Sequence, residues 1–326
     1  MITSMNITAS NQDLDRYQDR ADLRAFYKDK GIDGLELMLC GAEEIPPIVP
    51  AEDVQGIHLS YFSSWLDFWR EDWDALLAEY GDRETVRTVY GGLERDAMLH
   101  RWEQELEIAQ AQGVRYVVFH VSECSLEECF TYRQKHTDEE VCDAACEIIR
   151  ALLSDKPYSF YFLVENLWWS GFTMTRPEIT ERLLYGISYE KKGIMLDTGH
   201  LLHTNRSLRT QEEAVSYIER MLDEHGELCG WIKGIHLQQS LSGEYVESVI
   251  ANPPKLTGTY WERFSQVYPH IFQIDRHRPF TAPQAAGLIR RIHPKFLTFE
   301  LISCGREEHS RALREQLEAL NQGGME

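Results

Sequence analysis

Eight short apolar runs recur along the chain with longer amphipathic stretches between them, and this alternation constrains the fold more than any other feature. The runs cover residues 1–9, 34–39 (GLELML), 56–61 (GIHLSY), 116–121 (YVVFHV), 160–166 (FYFLVEN), 193–198 (GIMLDT), 232–238 (IKGIHLQ) and 296–302 (FLTFELI). Strands joined by helix-length segments pair in parallel, because a crossover of that length carries the chain back to the same end of the sheet. Eight such units close on themselves, so the pattern predicts one (β/α)8 TIM barrel, an α/β fold, spanning residues 1–326 as a single domain. Apolar residues at three- and four-residue spacing over 96–111, 138–153, 176–185, 211–225, 282–292 and 307–320 supply the outer helices. Two connections, at about 62–95 and 239–280, exceed what a crossover needs. Insertions of that length after barrel strands are expected to form an active-site rim.

Composition narrows the partners. The chain carries 33 Lys plus Arg against 53 Asp plus Glu, a formal charge of −20. Binding to a phosphate backbone depends on cationic side chains that release counterions, so nucleic acid is a disfavoured partner and a small molecule the expected one. The N-terminus lacks the basic start and apolar stretch of a signal peptide, and no run is long enough to span a bilayer, which predicts a cytoplasmic protein with no membrane partner. Seven cysteines without a CxxC pair read as free thiols in a reducing compartment.

Ionisable residues interrupt the apolar runs near their C-terminal ends: His58, His120, Glu165, Asp197, His236 and Glu300. Barrel enzymes place their chemistry at that face. Three carboxylates and three imidazoles crowded into one mouth lose hydration that some partner must replace, and a divalent cation replaces it. Mixed nitrogen and oxygen donors suit zinc foremost, with manganese, cobalt, iron or magnesium as alternatives. Two local motifs extend the set. In Asp197-Thr198-Gly199-His200 the glycine is expected to make a tight turn that brings Asp197 and His200 together. In Asp275-Arg276-His277, extended chain would point the first and third side chains the same way. His203, one turn after His200, reads either as a substrate or supporting group or as a helix-surface histidine.

This constellation resembles the xylose isomerase-like barrel superfamily over nearly the whole chain. That superfamily includes sugar isomerases, ketose 3-epimerases, inosose dehydratases and abasic-site nucleases of the endonuclease IV type. In its isomerases and epimerases one divalent ion is held by Glu, Asp, His and Glu, which the resemblance matches to Glu165, Asp197, His236 and Glu300, with His200 at the substrate. Its nuclease branch holds three zinc ions with nine ligands. The matching residues here are His58, His120, Glu165, Asp197, His200, His236, Asp275, His277 and Glu300. The resemblance therefore implies one to three ions per chain and, as in relatives of the fold, a homodimer. Two departures are visible: that branch usually has cysteine where Gly199 stands, and a glycine-rich stretch where this chain reads Arg278-Pro279-Phe280-Thr281.

Two chemistries follow. In the first, one ion polarises the carbonyl of a sugar, polyol or sugar phosphate while Glu165 and Glu300 exchange a proton with carbon, giving an isomerase, epimerase or lyase. In the second, several zinc ions activate water for phosphodiester cleavage. The acidic charge and the aromatic loops around the mouth favour carbohydrate chemistry, so an isomerase or epimerase is the expected activity, and the full set of nine favours the alternative, an endonuclease IV-like zinc phosphodiesterase. Tyr61, Phe62, Trp65, Phe68 and Trp69 follow His58, and Asn166, Leu167, Trp168 and Trp169 follow Glu165. Of these, Trp168 and Asn166 are expected at the substrate together with His200 and His203. A barrel that only binds a ligand remains a third reading.

Overall fold

The computed structural model describes residues 1–325. Eight parallel strands close into a barrel: β1 (Ile2–Thr8), β2 (Gly34–Met38), β3 (Val54–His58), β4 (Tyr116–His120), β5 (Tyr161–Glu165), β6 (Lys192–Asp197), β7 (Ile232–His236) and β8 (Phe296–Phe299). Pairing of β8 with both β7 and β1 completes the ring. Every apolar run contains a strand, and each strand stops one to three residues before its run does. Glu300 thus lies just past the paired part of β8.

Side chains on a strand alternate between faces, and the two faces pack differently. Tyr116, Val118, Leu163, Met195 and Phe296 form a small cluster of their own inside the barrel. Their neighbours in sequence, such as Val117, Phe119, Phe162 and Val164, join the much larger core beneath the helices. Counting in twos from the inner cluster reaches His120 from Tyr116, Glu165 from Leu163, Asp197 from Met195 and Glu300 from Phe296. The interior is close-packed: a Cβ on Gly56 would stand 2.3 Å from the Tyr116 ring. Register then aligns the polar positions, with His120 beside Glu165 across β4 and β5, and Asp197 beside His236 across β6 and β7.

The outer helices include Ala97–Gln112, Asp138–Leu153, Pro177–Gly186, Gln211–His225, Ala285–Ile292 and Arg306–Gln322. Capping boxes at Thr137 and Thr210 satisfy the first amides of two of them. Both long connections are largely helical. The first carries Leu66–Trp69, Trp73–Tyr80 and Arg83–Tyr90, and the second carries Gly243–Ala251 and Tyr260–Ile274. They meet over the rim, where the Tyr80 and Tyr260 rings lie 4.6 Å apart and His270 stacks on Phe130 at 4.2 Å. Trp65, Phe68 and Trp69 are buried in this layer. Phe68 stacks on Tyr90 at 3.9 Å and the Trp65 indole donates to the Ser122 carbonyl at 2.7 Å, so these aromatics anchor the insertion and do not face the mouth. Among the described residues no helix is long and apolar enough to cross a membrane.

Candidate metal centre

Glu165 stands at the centre of the polar ring. Its Oε2 lies 3.1 Å from His58 Nε2 and 2.9 Å from His120 Nε2, while its Oε1 lies 3.1 Å from His236 Nδ1 and 3.2 Å from His200 Nδ1. Around it the nine residues gather in three groups, His58–His120–Glu165, Glu165–Asp197–His236–Glu300 and His200–Asp275–His277, each with donor atoms within 4.8 Å of one another.

The imidazoles are oriented from behind. His58 Nδ1 faces the Leu59 carbonyl at 3.1 Å, His200 Nδ1 the Asn166 carbonyl at 2.9 Å, and His277 Nδ1 the Glu300 carbonyl at 3.1 Å. His236 Nε2 faces Glu36 at 2.9 Å. A ring that donates one N–H to these acceptors turns its other nitrogen, as a lone pair, towards the carboxylates. Two lone pairs facing each other repel unless a proton or a metal ion lies between them, and this outer support of an imidazole is how metal sites fix their ligands. Several atoms have no hydrogen-bonding partner at all: Asp197 Oδ2, Glu300 Oε2 and both nitrogens of His120 are buried without one. Glu300 Oε2 is 3.0 Å from His236 Nδ1, and His120 Nε2 is 2.9 Å from Glu165, but neither pair is aligned as a hydrogen bond. The donor chemistry, the orphaned atoms and the spacing all fit divalent cations.

The electrostatics carry the same strain. Burial pushes the His200 imidazole down, yet the Asp197 and Asp275 carboxylates outweigh it and hold the group well above its ordinary value. His277 is likewise lowered by burial and then lifted to about 9 by Asp275. Burial drives the Asp197 carboxyl well up, with the Glu300 and Glu165 charges working against His200's opposing pull. Protons and metal ions compete for such a cluster, because a cation satisfies the carboxylates only after the imidazoles lose their protons.

Local geometry differs from the expected turns. Gly199 lies in the short helix Thr198–His203 and does not adopt positive φ. Asp197 and His200 meet because Asp197 caps that helix, its Oδ1 accepting from the His200 amide at 2.6 Å. What Gly199 provides is space, since a Cβ there would lie 2.0 Å from Gln238 Oε1. Asp275 and His277 also meet, Oδ2 to Nε2 at 2.6 Å, but through a bend in which His277 takes φ +44, not through extended chain. Left-handed backbone at a non-glycine residue is costly and tends to occur at functional sites.

Three residues expected at the substrate sit behind the ring. Asn166 is fully buried, its Oδ1 accepting from the Asp197 amide at 2.9 Å and its Nδ2 donating to the Asp197 carbonyl at 3.0 Å. His203 is buried 3.3 Å from Asp275, which excludes the helix-surface alternative. Trp168 packs against His200 and His203, with ring centroids at 5.3 and 4.6 Å, and is itself buried. None of the three lines the mouth, whereas His200 does.

Sequence reasoning passed over Glu36 and Gln238. Glu36 lies under the ring on β2, where its Oε2 also accepts from Tyr116 at 2.7 Å and Thr298 at 2.8 Å. It is the one charged residue in the apolar run GLELML, a signal available before the structure. Gln238 Nε2 lies 3.1 Å from both Asp197 Oδ1 and Asp275 Oδ1, tying two of the three groups together.

The ring opens into a cavity of about 440 Å³. One wall presents His58, His120, His200, Asp275, His277 and Glu300. The apolar part of the lining includes Ile7, Tyr17, Met38, Tyr268, Phe272 and Ile302, with Asn6, Thr8, Ser10 and Gln12 as polar members beside them. Arg16 also lines it, but its guanidinium donates to the Ser303 and Gln12 carbonyls at 2.8 and 3.1 Å and pairs with Asp13 at 2.9 Å. Among the described residues no lysine lines the cavity. Arg206 and Arg278 lie outside it, paired with Glu247 and Glu308.

The family model described as xylose isomerase-like TIM barrel matches residues 25–293. Among solved structures, a xylose isomerase candidate from Rhodospirillum rubrum superposes with a TM-score of 0.59 at 13% identity, covering 100% of both chains. Endonuclease IV from Thermus thermophilus gives 0.51 at 15% identity over 99% of this chain and 100% of its own. Another Thermus thermophilus protein, soaked with zinc chloride, gives 0.51 at 17% identity over 100% of both. At such identities the likeness speaks to fold alone. No protein of curated function matches the sequence.

Proposed function

The chain belongs to the xylose isomerase-like TIM barrel family, and from that premise we propose that it is a metal-dependent hydrolase of small phosphodiesters, built to hold up to three divalent ions. One observation carries the reading: Glu165 faces two donor groups at once, one carboxylate oxygen towards each. A single-ion isomerase needs only Glu165, Asp197, His236 and Glu300. It would leave His58, His120, Asp275 and His277, four largely buried donors converging on the same mouth, with no ion to hold and only their contacts to Glu165, Gln238 and one another to account for them.

When bound, zinc, or manganese, cobalt or magnesium in its place, supplies the Lewis acidity that acidifies water and offsets charge on phosphoryl oxygens. The chain's own residues do the rest. Glu36, Asn166 and the carbonyls of Leu59 and Glu300 hold the ligands in one orientation. Glu300 reaches the cavity, and burial, which would raise its carboxyl, is outweighed by His236 and His277, which hold it well below the usual range; it therefore stays ionised beside the attacking water and orients it by accepting a hydrogen bond. The acidic chain and the committed Arg16 favour a small substrate over a polyanionic duplex.

A second reading, isomerisation or epimerisation of a sugar-like molecule at one ion, is favoured by the self-contained group Glu165–Asp197–His236–Glu300. Metal analysis separates the two. Two or three zinc ions per chain with turnover of bis(p-nitrophenyl) phosphate support hydrolysis. A single ion, no release of p-nitrophenol, and exchange of a ketose C–H with deuterated water would establish the second reading instead. Nicking of an abasic-site duplex by zinc-loaded protein would overturn the small-molecule assignment.

A further inference from the structure

The helix Tyr260–Ile274 buries Tyr260, Val267, His270 and Ile274 against the rim, and the opposite face of such a helix is ordinarily polar. Here that face carries Trp261, Phe264, Tyr268 and Phe272, spaced three, four and four residues apart and 48, 36, 55 and 40% exposed. Successive ring centroids lie 6.2, 5.9 and 5.0 Å apart, forming a continuous stair of aromatic faces. Its last two steps, Tyr268 and Phe272, line the same cavity as His200, Asp275, His277 and Glu300, and Ile302, 40% exposed, adds to the apolar surface of that cavity. Contiguous exposed apolar surface that runs into a polar site marks a place where a ligand is bound.

We infer that Tyr268 and Phe272 form the specificity wall of the site, and that the substrate is a phosphodiester one of whose alcohols carries a flat, apolar ring system lying on that wall. The inference rests on the hydrolase reading for its phosphodiester, and on the stair for its ring. Three observations point to this occupant. The stair ends at the ligands and not at a remote surface; the cavity is of small-molecule size; and its one guanidinium is already engaged, so apolar contact and not ion pairing has to hold the remainder of the substrate. Stacking of a planar ring on an aromatic side chain contributes roughly 1–3 kcal/mol, about tenfold to a hundredfold in affinity.

The test compares ligands that differ only in that ring. Naphthylmethyl and methyl esters of p-nitrophenyl phosphate report turnover by zinc-loaded protein, and the naphthylmethyl and methyl monoesters of methylphosphonic acid, which carry only a poor alkoxide leaving group and no p-nitrophenyl ring, report binding by calorimetry. Wild-type protein is expected to bind the naphthyl phosphonate roughly tenfold to a hundredfold more tightly than the methyl one. In Tyr268→Ala/Phe272→Ala the ratio should fall to near one, and Phe272→Trp should restore most of it. Both side chains are exposed, so an unchanged melting temperature will establish that the double variant is folded. Equal binding of the two phosphonates to wild type, or a preference that survives the double variant, overturns the inference. So does a wild-type dimer in sedimentation that the double variant dissolves without changing the ligand preference, which would give the stair to a second copy of the chain. Should neither ester be hydrolysed while the phosphonate preference holds, the hydrolase reading fails and the wall stands.

Discussion

Two histidines line the same cavity and have been pushed in opposite directions. His277, in the wall of acids, is depressed by burial but raised to about 9 by Asp275. His309, in the wall of Ile7, Tyr17 and Phe272, has Phe26 at 5.7 Å and no partner for its Nε2. Burial, with Arg16 adding to it, brings that imidazole down to about 4. One mouth therefore contains two settings: carboxylates that favour a protonated imidazole at His277, and burial with the Arg16 charge that disfavours one at His309. On the function proposed above, the first would hold the cations and the second the apolar part of the substrate.

The contrast is most vulnerable at Glu165. Glu165→Gln keeps the shape but removes the charge shared by two groups, so metal per chain should drop by at least one ion. Phosphodiester turnover should fall roughly 10³-fold, the scale seen when a group that stabilises transition-state charge is removed. Retention of full metal content and activity would mean that the acidic wall is ordinary polar packing.

His309 tests the other side. Its folded value lies below the unfolded one of about 6.5, so its contribution to stability is present above that pH and is lost as pH falls towards 4, reaching about 3 kcal/mol. Denaturant titrations of wild type and His309→Gln should therefore show the variant gaining by about that amount between pH 7 and pH 4. Parallel curves would place His309 in a wetter setting than its neighbours indicate.

Gln238 measures how far the acidic wall depends on what stands behind it. Gln238→Leu should weaken binding of the weakest-held ion by roughly 10- to 100-fold, as for other supports of metal ligands, and calorimetric zinc titration would read it. Gly199→Ala forces a Cβ into the same amide and should give a defect of that size. If the two effects are one, Gly199→Ala adds nothing to a protein that already lacks Gln238. The smallest effect belongs to the exposed stair, where Tyr268→Ala and Phe272→Ala should each change stability by less than about 0.5 kcal/mol, since neither is buried.

How much of this was legible in the sequence follows the same division. The strands were, because short apolar runs separated by helix-length segments leave few alternatives, and so were six of the ring residues, because an ionisable group at the end of such a run has no packing reason to be there; His200, Asp275 and His277 were legible only through the two local motifs. Glu36 was equally conspicuous in GLELML, but it lies mid-run and attention to run ends passes over it. Gly199 was credited with bending the chain when it clears room for Gln238, and steric need of that kind depends on a residue distant in sequence. Trp168, Asn166 and His203 follow or flank ligands closely, and adjacency in sequence cannot distinguish the front of a ring from its back. Tyr268 and Phe272 lie in the 239–280 connection and drew no reading of their own, because spacing defines a face without saying whether that face is covered.

Register has a further consequence for how such a barrel can change over generations. Since His120 is locked beside Glu165 and Asp197 beside His236, inserting or deleting one residue within those strands would turn a donor outward and dismantle the ring at a stroke. The segments at 62–95 and 239–274 are under no such constraint, provided that the second still delivers Asp275 and His277 to the ring, so lineages can exchange them, stair included, while inheriting the donors intact. New appetites would then be acquired by swapping the rim on an unaltered hearth.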